Sequence, residues 1–215
     1  MAMEKDIAIM MADLTGYTAM TDAHGGASAA RMVRKYMELV DTTLVGSSKV
    51  IQRIGDQVVI IGDNATDVLL TGQGLNKVTS DEHHFLSIHA GLHFGEVFIE
   101  DDNLFGSTIN VAARIMNIAQ GGEILCSQNF LSQLPDRSPF EFIGAHKLKN
   151  VVEPIELFRF SVPVTLSLDP VCHMQVDPQR SPYTVTLDHT TYHFCSPHCR
   201  DRFAAAPTKF VADSR

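Results

Sequence analysis

Two aspartates stand where strands are predicted to end, and their setting is typical of a divalent metal site. Asp13 follows an apolar run over residues 7–12 that predicts a buried strand. Asp56 lies between the Val- and Ile-rich runs at residues 50–54 and 57–61, which predict a β-hairpin. Mg²⁺ takes oxygen ligands, usually one or two carboxylates plus substrate phosphates. Because Gly-Asp is also a common hairpin turn, a purely structural role for Asp56 remains the alternative.

A second pair of chemically capable residues lies on a predicted helix over residues 110–118. Asn110 and Arg114 are spaced i, i+4, so they project from the same helix face. An amide beside a permanently charged guanidinium can bind ribose and phosphate oxygens. An ordinary surface arginine is the alternative reading of Arg114.

Three cysteines near the C-terminus form the third group. Cys172, Cys195 and Cys199 share their segment with several histidines, and thiolates with imidazoles suit Cu⁺, Zn²⁺ or another thiophilic ion. A structural zinc site and a metal- or redox-responsive sensor are both compatible with this composition. Cys126 stands apart in an apolar strand, so we expect it to be a core residue.

The elements that must position these groups alternate without strict βα repetition. Helices are predicted over residues 27–45, 65–75 and 110–118, with further strands at 123–127, 141–148 and 155–160. Residues 86–99 predict a strand pair that bends near Gly91 and Gly95. This pattern favours an α+β sandwich with a largely antiparallel sheet. The predicted domains are residues 1–160 and 169–215, joined by a Pro- and Ser-containing linker at 161–168.

Composition excludes several classes of partner. The 215 residues carry 17 basic and 25 acidic groups, a net charge of −8, without a basic block, so we expect no nucleic-acid partner. No apolar run is long enough to span a membrane, and the acidic N-terminus is unlike a signal peptide. The expected compartment is the cytoplasm, where thiols remain reduced.

Three stretches together resemble the class III nucleotidyl cyclase homology domain over roughly residues 6–160. They are Asp13-Leu-Thr-Gly-Tyr-Thr18, Ile54-Gly-Asp56 and Phe105-Gly-Ser-Thr-Ile-Asn-Val-Ala-Ala-Arg114, in the family's order and spacing. The resemblance implies a ferredoxin-like cyclase sandwich. It also implies that ATP or GTP is converted to a 3′,5′-cyclic nucleotide and pyrophosphate at the interface of a homodimer.

The same resemblance assigns roles to residues of this sequence. Asp13, Asp56 and the backbone carbonyl of Leu14 would hold two Mg²⁺ or Mn²⁺ ions. The triphosphate would bind the amides of Thr15, Gly16, Tyr17 and Thr18 at the start of a helix. Asn110 would orient the ribose, Arg114 would stabilise charge developing at the phosphorus, and Lys149 resembles the lysine that contacts the terminal phosphates.

The base-reading positions depart from the family pattern. Adenylyl cyclases of this class have a lysine four residues before the second metal aspartate and an aspartate seven before the helix asparagine. Gln52 and Asn103 occupy these positions, and amides can turn to suit adenine or guanine. We therefore expect weak base selectivity with the chemistry retained. A non-catalytic nucleotide- and metal-binding signalling module is the alternative.

The C-terminal segment at residues 169–211 resembles the YHS domain, a small treble-clef-like metal-binding module. The resemblance rests on Asp169-Pro-Val-Cys-His-Met174 and on the stretch from Tyr192 to Phe203. Cys172, Cys195 and Cys199 are the expected ligands of Zn²⁺ or Cu⁺, and the sequence leaves His173, Met174 and His198 open as the fourth.

Overall fold

The computed structural model describes residues 3–100, 103–161 and 166–211. The strands are β1 (Met3–Leu14), β2 (Lys49–Ile54), β3 (Gln57–Gly62), β4 (Ile88–Glu100), β5 (Asn103–Phe105), β6 (Glu123–Ser127), β7 (Glu141–His146), β8 (Ile155–Ser161), β9 (Ser167–Leu168), β10 (Gln175–Val176), β11 (Tyr183–Leu187) and β12 (Thr190–Phe194). The helices are α1 (Tyr17–His24), α2 (Gly26–Thr43), α3 (Ala65–Asp81), α4 (Ser107–Met116), α5 (Gln128–Leu131), α6 (Pro197–Ala205) and α7 (Pro207–Val211).

One mixed sheet forms the centre of the larger unit. Its strand order is β2-β3-β1-β4-β6-β8-β7, with β5 paired to β4. Among the described pairs only β4 and β6 run parallel. The α+β class with a largely antiparallel sheet is therefore confirmed.

Strand β1 lies in the middle of this sheet and is covered on both faces. Ala8, Met10 and Ala12 belong to the main core with α2 and α3. Ile9 and Met11 belong to a second core on the other face, together with residues of α4. Because both faces are buried, the strand has a continuous apolar sequence rather than an alternating one.

The predicted elements differ from the observed ones mainly in their ends. Helix α3 begins at an Asn64 cap, whose side chain accepts a hydrogen bond from the Thr66 amide at 2.8 Å. It continues to Asp81, six residues past the predicted end. Helix α4 begins three residues earlier than predicted.

Residues 88–100 form one long strand, so the prediction of a bent strand pair at 86–99 is wrong. Gly91 serves a different purpose: a Cβ built there would lie 2.2 Å from the Met116 nitrogen and 2.4 Å from the Ala112 oxygen. The missing side chain lets the backbone of α4 lie directly on β4. The sequence pattern identified the glycine but not the helix that packs on it.

The C-terminal unit docks against the end of α3 and the start of β4. Val171, Cys172 and Val176 share one hydrophobic core with Phe85 and Leu86. The Gln175 amide donates to the Phe85 carbonyl at 2.8 Å. Its side chain donates to the Thr79 carbonyl at 3.2 Å. The two units are therefore joined by buried apolar and polar contacts.

The structure describes only part of the predicted linker. Residues 162–165 and the final residues, 212–215, lie outside the described ranges, so the domain boundaries stay predictions. Within the described ranges, no helix has the length and apolar character needed to cross a membrane.

Candidate functional site

Asp13 and Asp56 are brought together as predicted, since β1 and β3 are hydrogen-bonded neighbours with Ala12 opposite Val58. Their side chains hydrogen-bond to each other. Asp13 also accepts a hydrogen bond from the Leu14 amide at 3.0 Å. Gly55, in the left-handed region with φ of +62°, forms the turn that brings Asp56 to this position.

The electrostatics of this carboxylate pair favour a bound cation. Burial and then the neighbouring charge of Asp13 together raise the pKa of Asp56 to about 6. Burial also raises the pKa of Asp13. Two half-buried carboxyl oxygens in contact are a suitable donor set for Mg²⁺ or Mn²⁺, because a divalent cation relieves both the repulsion and the desolvation cost.

A tight turn follows the first aspartate and opens α1. Gly16 adopts a left-handed conformation, with φ 83° and ψ 16°, directly before the first helical residue, Tyr17. The first amides of a helix have no acceptors within the helix, so this end of α1 can bind phosphate oxygens. The Thr15 amide is already engaged, because it donates to the Ser87 carbonyl at 2.8 Å. Gly16, Tyr17 and Thr18 are therefore the better candidates, and we refer to residues 15–18 as the phosphate loop.

His173 of the C-terminal unit lies against the phosphate loop. A Cβ built on Gly16 would lie 2.5 Å from the His173 Cβ. His173 is itself left-handed, with φ of +62°, a conformation that glycine adopts more readily. A cavity of about 600 Å³ opens beside this contact, lined among others by Thr15, His173 and Tyr192. The phosphate loop is thus flanked by residues of the second unit.

Gln52 and Arg53 point to opposite faces of the sheet edge. A β-bulge between Val50 and Gln52 places Gln52 opposite Val59, whereas Arg53 is opposite Val58. Arg53 is ion-paired with Asp41 of α2. Arg53 therefore faces the side of the strand opposite to Gln52, and Gln52 is exposed.

Helix α4 presents Asn110 and Arg114 away from its packed face. Asn110 is exposed and Arg114 is half-buried, whereas Val111, Ala112 and Ile115 are buried. Within the described residues of one chain, no hydrogen bond or ion pair links Asn110 or Arg114 to the aspartates. Exposed Lys149, in the turn before β8, likewise contacts neither aspartate. Asn103 is opposite Glu100 in the sheet, but its side chain lies outside what the structure describes.

The three C-terminal cysteines converge, and a histidine from α1 joins them. The Cys195 Sγ lies 3.5 Å from that of Cys172 and 3.7 Å from that of Cys199. The His24 Nε2 lies 3.5 Å from the sulfurs of both Cys195 and Cys199. All four potential ligand atoms lie within 4.8 Å of one another.

The histidine that the structure supplies differs from those the sequence indicated. His173 lies against Gly16, and His198 is exposed on α6, so neither belongs to this cluster. Met174 is buried in the surrounding core. His24 could not be recognised as a neighbour of the cysteines from the sequence, because it lies 171 residues before Cys195.

Asp169 organises the loops that carry the cysteines. It is fully buried, accepts hydrogen bonds from the Val171 and Cys195 amides at 2.8 Å each, and lies 3.4 Å from the Cys172 nitrogen. Hydrogen bonds with Cys172 and Cys195 lower the pKa of Cys199, whereas hydrogen bonds with Cys195 and Cys199 raise the pKa of Cys172. The three thiols therefore share their protons, and a thiolate is the form that binds metals.

Sequence reasoning also missed two residues beside the carboxylates. His89 is opposite Asp13 in the β1–β4 pairing, and its Nδ1 lies 3.0 Å from the Thr15 hydroxyl. Burial lowers the pKa of His89. Tyr36 of α2 is fully buried, and its phenol pKa is raised first by burial and then by the Asp13 and Asp56 charges. Only the strand register and helix packing reveal these neighbours.

Comparisons with known proteins match both units. The model of the adenylate and guanylate cyclase catalytic domain matches residues 1–153, and that of the YHS domain matches residues 168–213. A putative adenylate cyclase 3 of Rhizobium meliloti (strain 1021) is 26% identical over 164 residues, which is 72% of this chain and 28% of that protein. A copper-transporting P-type ATPase of Rhizobium leguminosarum bv. viciae is 49% identical over 43 residues, which is 20% of this chain and 5% of that protein.

Solved structures show the same fold. An adenylate/guanylate cyclase/hydrolase from Silicibacter pomeroyi has a TM-score of 0.69 at 24% identity, covering 76% of this chain and all of that one. The chain spans between 28% and 40% of the length of the first curated relatives it matches.

Proposed function

Because this chain belongs to the adenylate and guanylate cyclase catalytic-domain family and carries a C-terminal YHS domain, we propose that it is a metal-dependent nucleotidyl cyclase. Its reaction converts ATP or GTP to the 3′,5′-cyclic nucleotide and pyrophosphate. The observation that carries this proposal is the contact between the Asp13 and Asp56 carboxyl groups at the end of β1. A purely structural role would not require two half-buried carboxyl groups in contact.

Asp13 and Asp56, with the Leu14 carbonyl, would hold two Mg²⁺ or Mn²⁺ ions. When bound, such ions lower the pKa of the attacking hydroxyl and neutralise charge on the phosphates. Both carboxylates must be deprotonated to bind the ions, so metal binding competes with protonation of Asp56, whose pKa is raised to about 6.

The remaining residues bind and orient the nucleotide. The first amides of α1 after Gly16 receive the triphosphate. Asn110 holds the ribose so that its 3′-oxygen faces the α-phosphorus, and the Arg114 guanidinium stabilises the charge that accumulates there. A bond forms between the 3′-oxygen and the α-phosphorus, the bond to the pyrophosphate oxygen breaks, and the hydroxyl proton passes to solvent.

A homodimer is part of this proposal. Asn110 and Arg114 have no described contact with the aspartates of their own chain, which supports a site completed by a second copy. Exposed apolar side chains on the sheet side support the same arrangement, since Ile54 and Phe105 are 57% and 51% accessible. Two sites per dimer follow from the two-fold symmetry.

We expect weak discrimination between ATP and GTP. Gln52 is exposed at the sheet edge and free to turn its amide, and it lacks the charge of a lysine. A neutral hydrogen bond contributes about 0.5–1.5 kcal/mol, against about 1.5–3 kcal/mol for one to a charged group. With Asn103 contributing a second amide, the base is held loosely, and Gln52→Lys should shift the preference toward ATP.

Complementation between two inactive variants tests the activity and the shared site together. Asp56→Ala removes a metal ligand and Arg114→Ala removes the transition-state guanidinium, so neither protein alone should form cyclic product from ATP or GTP with Mn²⁺. In an equimolar mixture half of the dimers are mixed, and each mixed dimer has one intact site. Product should therefore return to about a quarter of the wild-type rate.

Other results would point elsewhere. Activity in Asp56→Ala alone would refute the role of the carboxylate pair. An active wild type with no complementation in the mixture would place all catalytic residues in one chain. An inactive wild-type dimer would favour a nucleotide-binding signalling module, a reading supported by the contact of His173 with the phosphate loop.

A further inference from the structure

We propose that His24 of the cyclase domain is the fourth ligand of a tetrahedral site for Zn²⁺ that bridges the two domains. The other ligands are Cys172, Cys195 and Cys199 of the YHS domain. A single ion then fastens the C-terminal domain to α1, the helix that begins at the phosphate loop. The metal site itself does not depend on the proposed cyclase activity, although its effect on turnover does.

The four ligand atoms already have the spacing of a tetrahedral zinc site. With Zn–S bonds of about 2.3 Å and a Zn–N bond of about 2.05 Å, tetrahedral edges are about 3.8 Å between sulfurs and about 3.6 Å between sulfur and nitrogen. In the structure, the Cys195 sulfur lies 3.5 and 3.7 Å from the sulfurs of Cys172 and Cys199, and the His24 nitrogen lies 3.5 Å from the sulfurs of Cys195 and Cys199. The other two pairs, Cys172 with Cys199 and Cys172 with His24, lie within 4.8 Å, so binding the ion needs at most a small contraction of the site.

The surroundings support a fixed site rather than a chance approach of thiols. Cys172 and Cys199 are fully buried and Cys195 is buried, while His24 is half-buried. Asp169 fixes both cysteine-bearing loops through backbone amides. Ser196 caps α6, and its hydroxyl lies 3.3 Å from the Cys199 nitrogen. The first turn of this helix therefore fixes the position of Cys199.

His24 has no comparable task within its own domain. His24 is the last residue of α1, and Gly25 ends the helix with a positive φ of 78°, which glycine adopts readily. The imidazole at this end of the helix contacts the sulfurs. Among the described residues, only this histidine joins the cysteines in a candidate metal cluster. A Cys₃His set is a common structural zinc set.

The metal site and the residue next to one of its ligands contact the two ends of α1, the helix that begins at the phosphate loop. This helix has eight residues and is therefore about 12 Å long. His24 lies at its C-terminal end, and Gly16 lies at its start against His173, the residue after Cys172. Occupancy of the site should therefore hold α1 and the phosphate loop in one arrangement.

Zinc binding to the full-length protein tests the proposal directly. Wild type should bind one Zn²⁺ per chain in competition with a chelator, and X-ray absorption should show three sulfurs at about 2.3 Å and one nitrogen at about 2.05 Å from the zinc. His24→Ala should lose the protein nitrogen and at least about tenfold in affinity. His24→Cys should restore affinity with four sulfurs.

His198→Gln is the matched control, because His198 is exposed on the same YHS segment and lies outside the cluster. It should bind zinc as wild type does. Circular dichroism of the metal-free proteins separates loss of a ligand from loss of the fold. We expect the metal-free His24 variants to have the same melting temperature as the metal-free wild type.

Several results would overturn the proposal. One is a His24→Ala protein with unchanged zinc affinity and an unchanged nitrogen shell; another is loss of both in His198→Gln. Uptake of Cu⁺ by the thiolates alone, with no zinc bound, would also contradict it. Because none of these measurements uses a nucleotide, a chain that binds zinc through His24 but forms no cyclic product would refute the proposed activity and leave the site intact.

Discussion

Replacing Gly91 with alanine should separate the packing of α4 from the chemistry on its exposed face. The three atoms nearest to a Cβ built on Gly91 of β4 all belong to the backbone of α4, and the Met116 nitrogen would lie 2.2 Å away. The atoms in the way belong to a helical backbone, so no side-chain rotation relieves the contact. The helix must move as a body.

The displacement can be worked from these distances. An ordinary contact to a Cβ begins at 3.4 Å, so a 2.2 Å contact requires a movement of about 1 Å. Overpacking of this kind costs about 1–3 kcal/mol of stability. Asn110 and Arg114 travel with the helix, and a misplacement of about 1 Å can reduce a rate about a hundredfold.

The assay is steady-state cyclase kinetics together with urea unfolding. We expect Gly91→Ala to lower kcat about a hundredfold with a smaller change in KM, because Arg114 acts on charge that develops only in the transition state. Gly74→Ala is the control: its Cβ would lie 3.6 Å from Thr43, an ordinary contact. Alanine in helix α3 should raise stability by about 0.5–1 kcal/mol and leave kcat unchanged.

A Gly91→Ala protein with wild-type stability and kcat within about threefold of wild type would refute this reasoning. It would mean that α4 adapts without moving its exposed face. Loss of stability with full kcat would show that the packing matters to the fold and not to the site.

Three other substitutions test features of the interior. Burial lowers the pKa of His93 to about 4, so below about pH 6.5 the unfolded chain binds a proton that the folded chain does not bind. The free energy of unfolding should therefore fall by up to about 3 kcal/mol as the pH drops from 6.5 to 4. Urea titrations of His93→Gln should lack this dependence on pH. The Tyr36 hydroxyl is buried with no hydrogen-bond partner among the described residues, so Tyr36→Phe should raise the unfolding free energy by about 1 kcal/mol. Gln175→Ala leaves the Thr79 carbonyl unpaired and should lower stability by about 1–3 kcal/mol; an unchanged urea midpoint would contradict the polar anchor between the domains.

Much of the larger domain could be predicted because local patterns and topology agree. The buried run at 7–12, the hairpin around Gly55 and the amphipathic α2 all follow from periodicity and turn residues. The contact between Asp13 and Asp56 followed from placing that hairpin beside β1. Strand ends carry this information because pairing fixes where they meet.

What could not be predicted depends on contacts between distant segments. Gly91 looked like a bend because a glycine in a strand signals either a bulge or a close approach, and periodicity alone does not distinguish them. The bulge that orients Gln52 depends on strand register, which is set by the whole sheet. His24 could not be identified because its partners lie in the other domain.

The metal cluster also has a consequence for how the chain is made. Bringing positions 24 and 195 together closes a loop of 171 residues, which costs the unfolded chain about 5 kcal/mol of conformational entropy, so the site forms only once folding has brought its ligands together. During synthesis His24 emerges long before Cys199, so the ion can tie the first helix only after the YHS segment has left the ribosome. Zinc binding would then be a late step of assembly, and a chain truncated before Cys195 would lack the ion that holds the end of α1.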